Sequence, residues 1–221
     1  MTISIVTLFP QMFTGPFDYS IISRAQKKEL VSIKLINLRD FATDRYGTVD
    51  DKPYGGGAGM ILKVDVIDRA ITSTFTTAPR SKTRVILLDA KGARYTQKKS
   101  EQFSQCAHLV IICGHYEGVD ARVNSLVDEV VSIGDFVLTG GEIAAAALVD
   151  SIVRLLPGVL TKSAATTNES HTSGYLEYPQ FTRPLEYKDQ KVPEILVNGN
   201  HAQIVKWRSQ HMKKITTEVT D

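Results

Sequence analysis

Long apolar runs, metal-spaced cysteines and a strong net charge are all missing from this chain, and each absence closes off a class of protein. No apolar run approaches the ~18 residues that a membrane span needs. Only two cysteines occur, Cys106 and Cys113, in an apolar segment without metal-ligand spacing, so they read as buried thiols in a reducing compartment. No basic region precedes the apolar N-terminal stretch, which speaks against a signal peptide, and the expected location is cytoplasmic. The formal net charge is only +2, which permits a nucleic-acid partner without demanding one. No strand-like segment leads into G-x-G-x-x-G, which disfavours a Rossmann oxidoreductase. The glycine cluster Gly55–Gly59 is followed by no Lys-Ser or Lys-Thr, which argues against a triphosphate cradle. There are no internal repeats. What remains, at 221 residues, 43% hydrophobic and 23% charged, is an ordinary globular chain of one large or two small domains.

What is present is organised around Leu109–Glu142, L-V-I-I-C-G-H-Y-E-G-V-D-A-R-V followed by S-I-G-D-F-V-L-T-G-G-E. Val110–Cys113 stops at Gly114. Val130–Ile133 stops at Gly134, resumes as Phe136–Leu138 and stops again at Gly140-Gly141. Short apolar runs bounded by glycine read as buried strands of a parallel sheet. In open α/β sheets ligands sit at the carboxyl ends of such strands, and glycine lets the backbone approach them closely. Any one of these glycines reads as a turn. Five of them around one carboxylate, Glu117, point to a site.

Around that stretch the chain alternates strands and helices. Thr2–Phe9 is strand-like, Asp18–Glu29 suits a helix, and Val31–Leu38 alternates Val31, Ile33 and Leu35 against polar partners as a strand does. Arg39–Met60 has no periodicity, and its Arg45, Tyr46, Lys52, Tyr54 and glycines suit contacts with an RNA base, with a solvated loop as the alternative. Val64–Phe75 is predicted helical, Thr83–Leu88 a strand ending in D-A-K-G, and Thr96–Gln105 a helix capped by Thr96. Val119–Val127 and the alanine-rich Glu142–Leu155 are expected helices, the second stopped by Pro157-Gly158. Thr161–Ser173 carries seven Ser or Thr and no large apolar residue, so it reads as a flexible linker. A last helix starts near Asn200, with Ile204, Trp207, His211 and Ile215 inward and Lys206, Arg208, Lys213 and Lys214 outward.

The motifs C-G-H-Y-E-G-V-D and S-I-G-D-F-V-L-T-G-G-E, with T-L-F-P, Y-G-G-G-A-G-M, Y-P-Q-F-T-R-P and G-N-H-A-Q-I-V-K-W-R, closely resemble the bacterial tRNA (guanine-N1)-methyltransferase family. That resemblance implies an S-adenosylmethionine-dependent enzyme of the SPOUT class, acting on the guanosine 3′ of the anticodon. The implied architecture is α/β with a mostly parallel sheet, a deep C-terminal trefoil knot and a small helical C-terminal domain. The domains fall at 1–160, catalytic and knotted, 161–173, linker, and 174–221, tRNA-binding. The partners implied are tRNA and a second copy, in a homodimer whose active sites lie between subunits. The donor is expected at Leu88, Asp89, Gly92, Gly114, Tyr116, Gly118, Ser132, Ile133, Gly134, Asp135, Phe136, Val137, Leu138, Gly140 and Gly141. Asp51, Tyr54, Gly55, Gly57, Gly59, Met60, His201 and Arg208 are expected to meet the tRNA. Relatives carry a Ser-Pro-Gln-Gly-like turn where D-A-K-G stands, which puts side-chain contacts at Asp89 in doubt.

Methylating N1 of guanine requires that the N1 proton leave and that charge spreading onto O6 be stabilised, tasks for a carboxylate and an arginine. The resemblance places Glu169 at the position of the family's aspartate base and Arg154 as the arginine. Taken alone, Glu169 is a solvated linker charge and Arg154 a helical ion-pair partner of Asp150. The resemblance implies Glu117 as a second functional carboxylate, near the methyl group or near a magnesium ion shared with Glu169. His115 and His171 read as polar filler. The rival readings are a non-catalytic tRNA- or nucleotide-binding module of the same fold and the disfavoured oxidoreductase.

Overall fold

The structure is a computed structural model and describes residues 1–160, 169–171 and 174–215. Its chain falls into two compact units, Met1–Thr161 and Lys162–Asp221. The first opens with β1 (Thr2–Thr7), α1 (Ser20–Lys27) and β2 (Ser32–Asn37), then β3 (Asp50–Asp51), β4 (Ile61–Leu62) and α2 (Val64–Thr74). It continues through β5 (Thr83–Arg94), α3 (Gln97–Ser104), β6 (His108–Cys113), β7 (Glu129–Ser132) and α4 (Glu142–Val153). Five strands form one sheet in the order β2-β1-β6-β5-β7, with every pairing parallel.

The middle strand shows why its sequence is apolar without alternation. All six residues of β6 are buried. Leu109, Ile111 and Cys113 join a core cluster with α1 and α4, while Val110 and Ile112 face a second cluster with α2. A strand covered on both faces needs apolar residues at every position, because successive side chains point to opposite sides. At its start, buried His108 sits between Ser4 Oγ at 2.9 Å and Thr83 Oγ1 at 3.1 Å, so both ring nitrogens are satisfied. The alanines of α4 let it lie close, with Ala145, Leu148, Val149 and Ile152 fully enclosed. Thr96 caps α3 by accepting the Lys99 N–H, as its residue type predicts.

Several expectations are corrected. Val119–Val127 is not a helix but a loop holding a short 3-10 turn, Ala121–Ser125. Asp120 starts it by accepting the Arg122 N–H and pairing with the Arg122 guanidinium, which pulls that carboxyl down to about 2. Phe136–Leu138 forms no strand, and Phe136 and Val137 stand 54% and 85% exposed. Leu35, in the apolar set of the expected alternation, is exposed in β2, the edge strand paired only with β1. β5 does not stop before D-A-K-G. Leu88 and Ala93 both pair with Val131, so residues 89–92 loop out between them and the strand resumes to Arg94.

In the second unit β8 (Tyr175–Leu176), β9 (Glu186–Tyr187), β10 (Gln190–Lys191), α5 (His201–His211) and β11 (Lys213–Lys214) follow. The described residues therefore make one α-helix with two short antiparallel ribbons, β9–β10 and β8–β11, rather than a helical domain. α5 ends at His211 and Met212 turns extended, whereas the sequence pattern suggested a helix through Ile215. His211 is exposed and not inward, its ring stacked on Trp207 at 4.0 Å. Of the expected linker, 161–168 and 172–173 lie outside the described residues.

Candidate active site

Chain path explains the site. After β7, at one edge of the sheet, residues 133–141 return past the end of β5 to the end of β6. There the Gly141 N–H donates to the Gly114 carbonyl at 2.8 Å, and His115 pairs with Gly140 in an isolated antiparallel bridge. Gly141 is required by this approach, since a Cβ there would stand 2.8 Å from Cys113 Cα. Burial pushes the Cys113 thiol well above its ordinary value, and the nearby Glu142 carboxylate adds to this. That thiol belongs to the buried core beneath the site.

Between the two breaks lies a cavity of about 290 Å³, at the carboxyl ends of β6 and β7 and beside the 89–92 bulge of β5. Leu88, Asp89, Gly114, Tyr116, Gly118, Ser132, Ile133, Phe136, Val137, Leu138, Gly140 and Gly141 line it, with Glu117. Three residues expected at the donor do not. Gly92 is pressed against β7, where a Cβ would stand 2.5 Å from the Val131 nitrogen. Gly134 lies against the Phe136 ring, and exposed Asp135 pairs with Arg94. Asp89 reaches the lining despite the altered turn, and its Oδ1 accepts the Lys91 N–H at 2.8 Å. Lys91, expected to offer backbone contacts, lines the cavity too, whereas Ala90, Val131, Thr139 and Ala144 were missed, as was His115, set down as filler although it directly follows the Gly114 break.

The turn carrying Glu117 is tied to β4. Leu62 N–H donates to the Gly118 carbonyl, the Asp120 N–H to the Leu62 carbonyl, and the Glu117 N–H to the Met60 carbonyl at 3.1 Å. Tyr116 holds a left-handed φ of +60°, the kind of local strain that functional turns carry. Gly59 stands directly over Glu117, so the sequence-expected tRNA loop and the carboxylate come together here. Tyr54 is fully exposed on the same loop, and Asp51 pairs with Ile61 in the β3–β4 ribbon. Arg154 follows α4 as its C-cap, half-buried, with its N–H on the Asp150 carbonyl. Glu169 is half-buried in the second unit. In that unit His201 opens α5, exposed, and Arg208 lies over the Tyr178 ring at 5.0 Å. Among the described residues no three His, Cys, Asp or Glu lie together as a metal set.

Comparison with known proteins agrees with this geometry. The family model described as tRNA (Guanine-1)-methyltransferase TrmD matches residues 1–220. A tRNA (guanine-N(1)-)-methyltransferase of Geobacillus kaustophilus is 50% identical over 217 residues, 98% of this chain and 88% of the relative. Its namesake in Bacillus velezensis is 51% identical over 211 residues, 95% of this chain and 86% of the relative. A third, from Dictyoglomus turgidum, is 50% identical over 216 residues, 98% and 86% of the two chains. A match of this length, with a cavity built from the same motifs, makes the chain a member of the tRNA (guanine-1)-methyltransferase family.

Proposed function

We propose that this enzyme moves a methyl group from S-adenosylmethionine to N1 of the guanosine 3′ of the anticodon in tRNA. The observation that carries the reading is the cavity at the carboxyl ends of β6 and β7 and beside the 89–92 bulge of β5, walled in part by glycines, with Glu117 on its lining. Such a wall suits a donor recognised through backbone N–H and C=O groups, as the residues present here would hold it. When bound, the donor supplies an electrophilic methyl on a sulfonium. The rest is the work of this chain. Glu169 accepts the N1 proton, and the Arg154 guanidinium stabilises negative charge at O6. Among the described residues no three His, Cys, Asp or Glu lie together as a metal set, and the carboxylates on the cavity lining are Glu117 and Asp89.

Recognition of tRNA would fall to the loop bearing Tyr54 and Gly55–Gly59, and to the exposed basic residues Lys206, Arg208, Lys213 and Lys214 of the second unit. A homodimer is supported by the exposed apolar patch of Phe136, Val137, Leu138 and Ile143, of which Val137 is 85% exposed. A SPOUT trefoil knot, in which 133–141 passes the 89–94 segment, fits the return of the chain from β7 to β6. A cytoplasmic location fits a tRNA substrate, and among the described residues no helix is long and apolar enough to cross a membrane. The enzyme names of the relatives disfavour a non-catalytic binding module.

The test is transfer of radiolabelled methyl to unmodified tRNA with guanosine at that position, beside the same tRNA carrying adenosine there. Label in the first alone supports the reading. Donor binding without transfer to either would return it to a binding module.

A further inference from the structure

Behind the cavity wall sits a carboxylate with one oxygen unused. Glu142, the first residue of α4, is 1% exposed, and its Oε1 accepts the Thr7 hydroxyl at 2.8 Å. Its Oε2 is fully buried and has no hydrogen-bond partner. Buried polar atoms nearly always have one, and a carboxylate oxygen left without any is costly. Thr7 itself accepts the Phe9 N–H at 3.0 Å, so the carboxylate is moored to the end of β1.

The donor nearest to hand is His115. The Tyr116 N–H donates to His115 Nδ1 at 3.0 Å, which puts the proton of a neutral ring on Nε2. A Cβ at residue 140 would stand 2.4 Å from Glu142 Oε2 and 2.9 Å from His115 Nε2. The two polar atoms thus flank one small space that glycine leaves clear. Residues 115 and 140 are held side by side by their bridge, and the His115 ring packs against Phe9 at 4.9 Å and Tyr116 at 5.1 Å. His115, Tyr116, Glu117 and Gly140 all line the cavity.

We infer that Glu142 is a positioning residue for this pocket: its Oε2 takes the His115 Nε2–H when the pocket is filled, fixing the turn that presents Tyr116 and Glu117. While the cavity is open, water competes for the Nε2–H. A ligand that fills it removes that competitor and leaves Oε2 as the acceptor. This rests on the methyl-transfer reading only for the choice of ligand.

The test uses the full chain, ¹⁵N-labelled at histidine, and S-adenosylhomocysteine, the uncharged thioether left after transfer, as the probe. Saturation is expected to give a slowly exchanging His115 Nε2–H resonance that Glu142→Gln lacks, because the amide held by Thr7 turns a donor toward the ring. By calorimetry, Glu142→Gln and His115→Phe each weaken probe binding about tenfold, and the double variant is no worse than either, since both break one contact. An Nε2–H signal unmoved by the probe, additive losses, or a wild-type chain that does not take the probe would each overturn the inference. Should Glu142→Gln not fold, Glu142→Asp, which withdraws Oε2 by one methylene, takes its place. None of these measurements needs methyl transfer. A wild type with the protected proton and no transfer sinks the functional reading alone, and transfer with additive losses sinks this inference alone.

Discussion

At residue scale the site depends on atoms that must not be there. Gly59 holds a φ of +78°, and a Cβ on it would stand 2.5 Å from Glu117 Cγ and 2.7 Å from Oε1. Gly59→Ala therefore both strains the loop and pushes the carboxylate from the lining. Methyl transfer should fall by roughly tenfold in kcat/KM while the melting temperature barely moves, since the loop is exposed. Melting that drops with activity would mean the loop matters for folding instead. Glu169→Gln makes a different cut. It is nearly isosteric and loses only the ability to accept a proton, so tRNA and donor binding should persist while the rate falls by about 10²-fold or more. The pH–rate profile should lose the limb set by that carboxyl. Turnover near the wild-type rate would disqualify Glu169 and turn attention to Glu117.

At the scale of elements, what could be foreseen followed how far each signal is local. Thr96 is legible because a cap needs only one side chain and its own backbone. Thr96→Ala should lower stability by about 1 kcal/mol, measured by chemical denaturation, with activity unchanged. Val110–Cys113 was equally plain, being apolar at every position because both faces are covered. Val119–Val127 misled, since its apolar spacing serves a 3-10 turn that Asp120 and Arg122 hold by side-chain bonds. D-A-K-G was invisible as a bulge because the residue that explains it, Val131, lies some 40 positions away, paired with both Leu88 and Ala93. The two glycine breaks that bound the cavity were legible. Gly92, Gly134 and Asp135 carry the same local pattern, yet their backbone and side chains meet β7, Phe136 and Arg94 rather than the cavity.

For the whole molecule one buried histidine and two ion-paired carboxylates predict how stability follows pH. Burial lowers the His108 pKa from its ordinary 6.5, with Lys34 adding to the effect. Burial also pushes the Asp128 and Glu129 carboxyls up, but Arg80 and the Val85 N–H on the first, and Lys99 and Arg84 on the second, outweigh it and leave both below their ordinary 3.8 and 4.5. All three groups therefore bind a proton less readily folded than unfolded. Wherever the unfolded chain holds more protons, stability rises with pH, so each contribution is complete above the ordinary pKa and is lost as pH falls toward the folded one. The two kinds of group separate in pH and in salt. Thermal melting should show a first decline as pH drops below about 6.5, the histidine step, and a second below about 4.5, the carboxylate step. Added salt should blunt the second, which is held by ion pairs, and leave the first, which is set by desolvation within the Ser4–His108–Thr83 contact. In His108→Gln the melting temperature should be nearly flat between pH 8 and 5.5, whatever its starting value. A wild type that is flat across that range would show that His108 charges without cost, and that the hydroxyls of Ser4 and Thr83 turn to accept from its protonated ring.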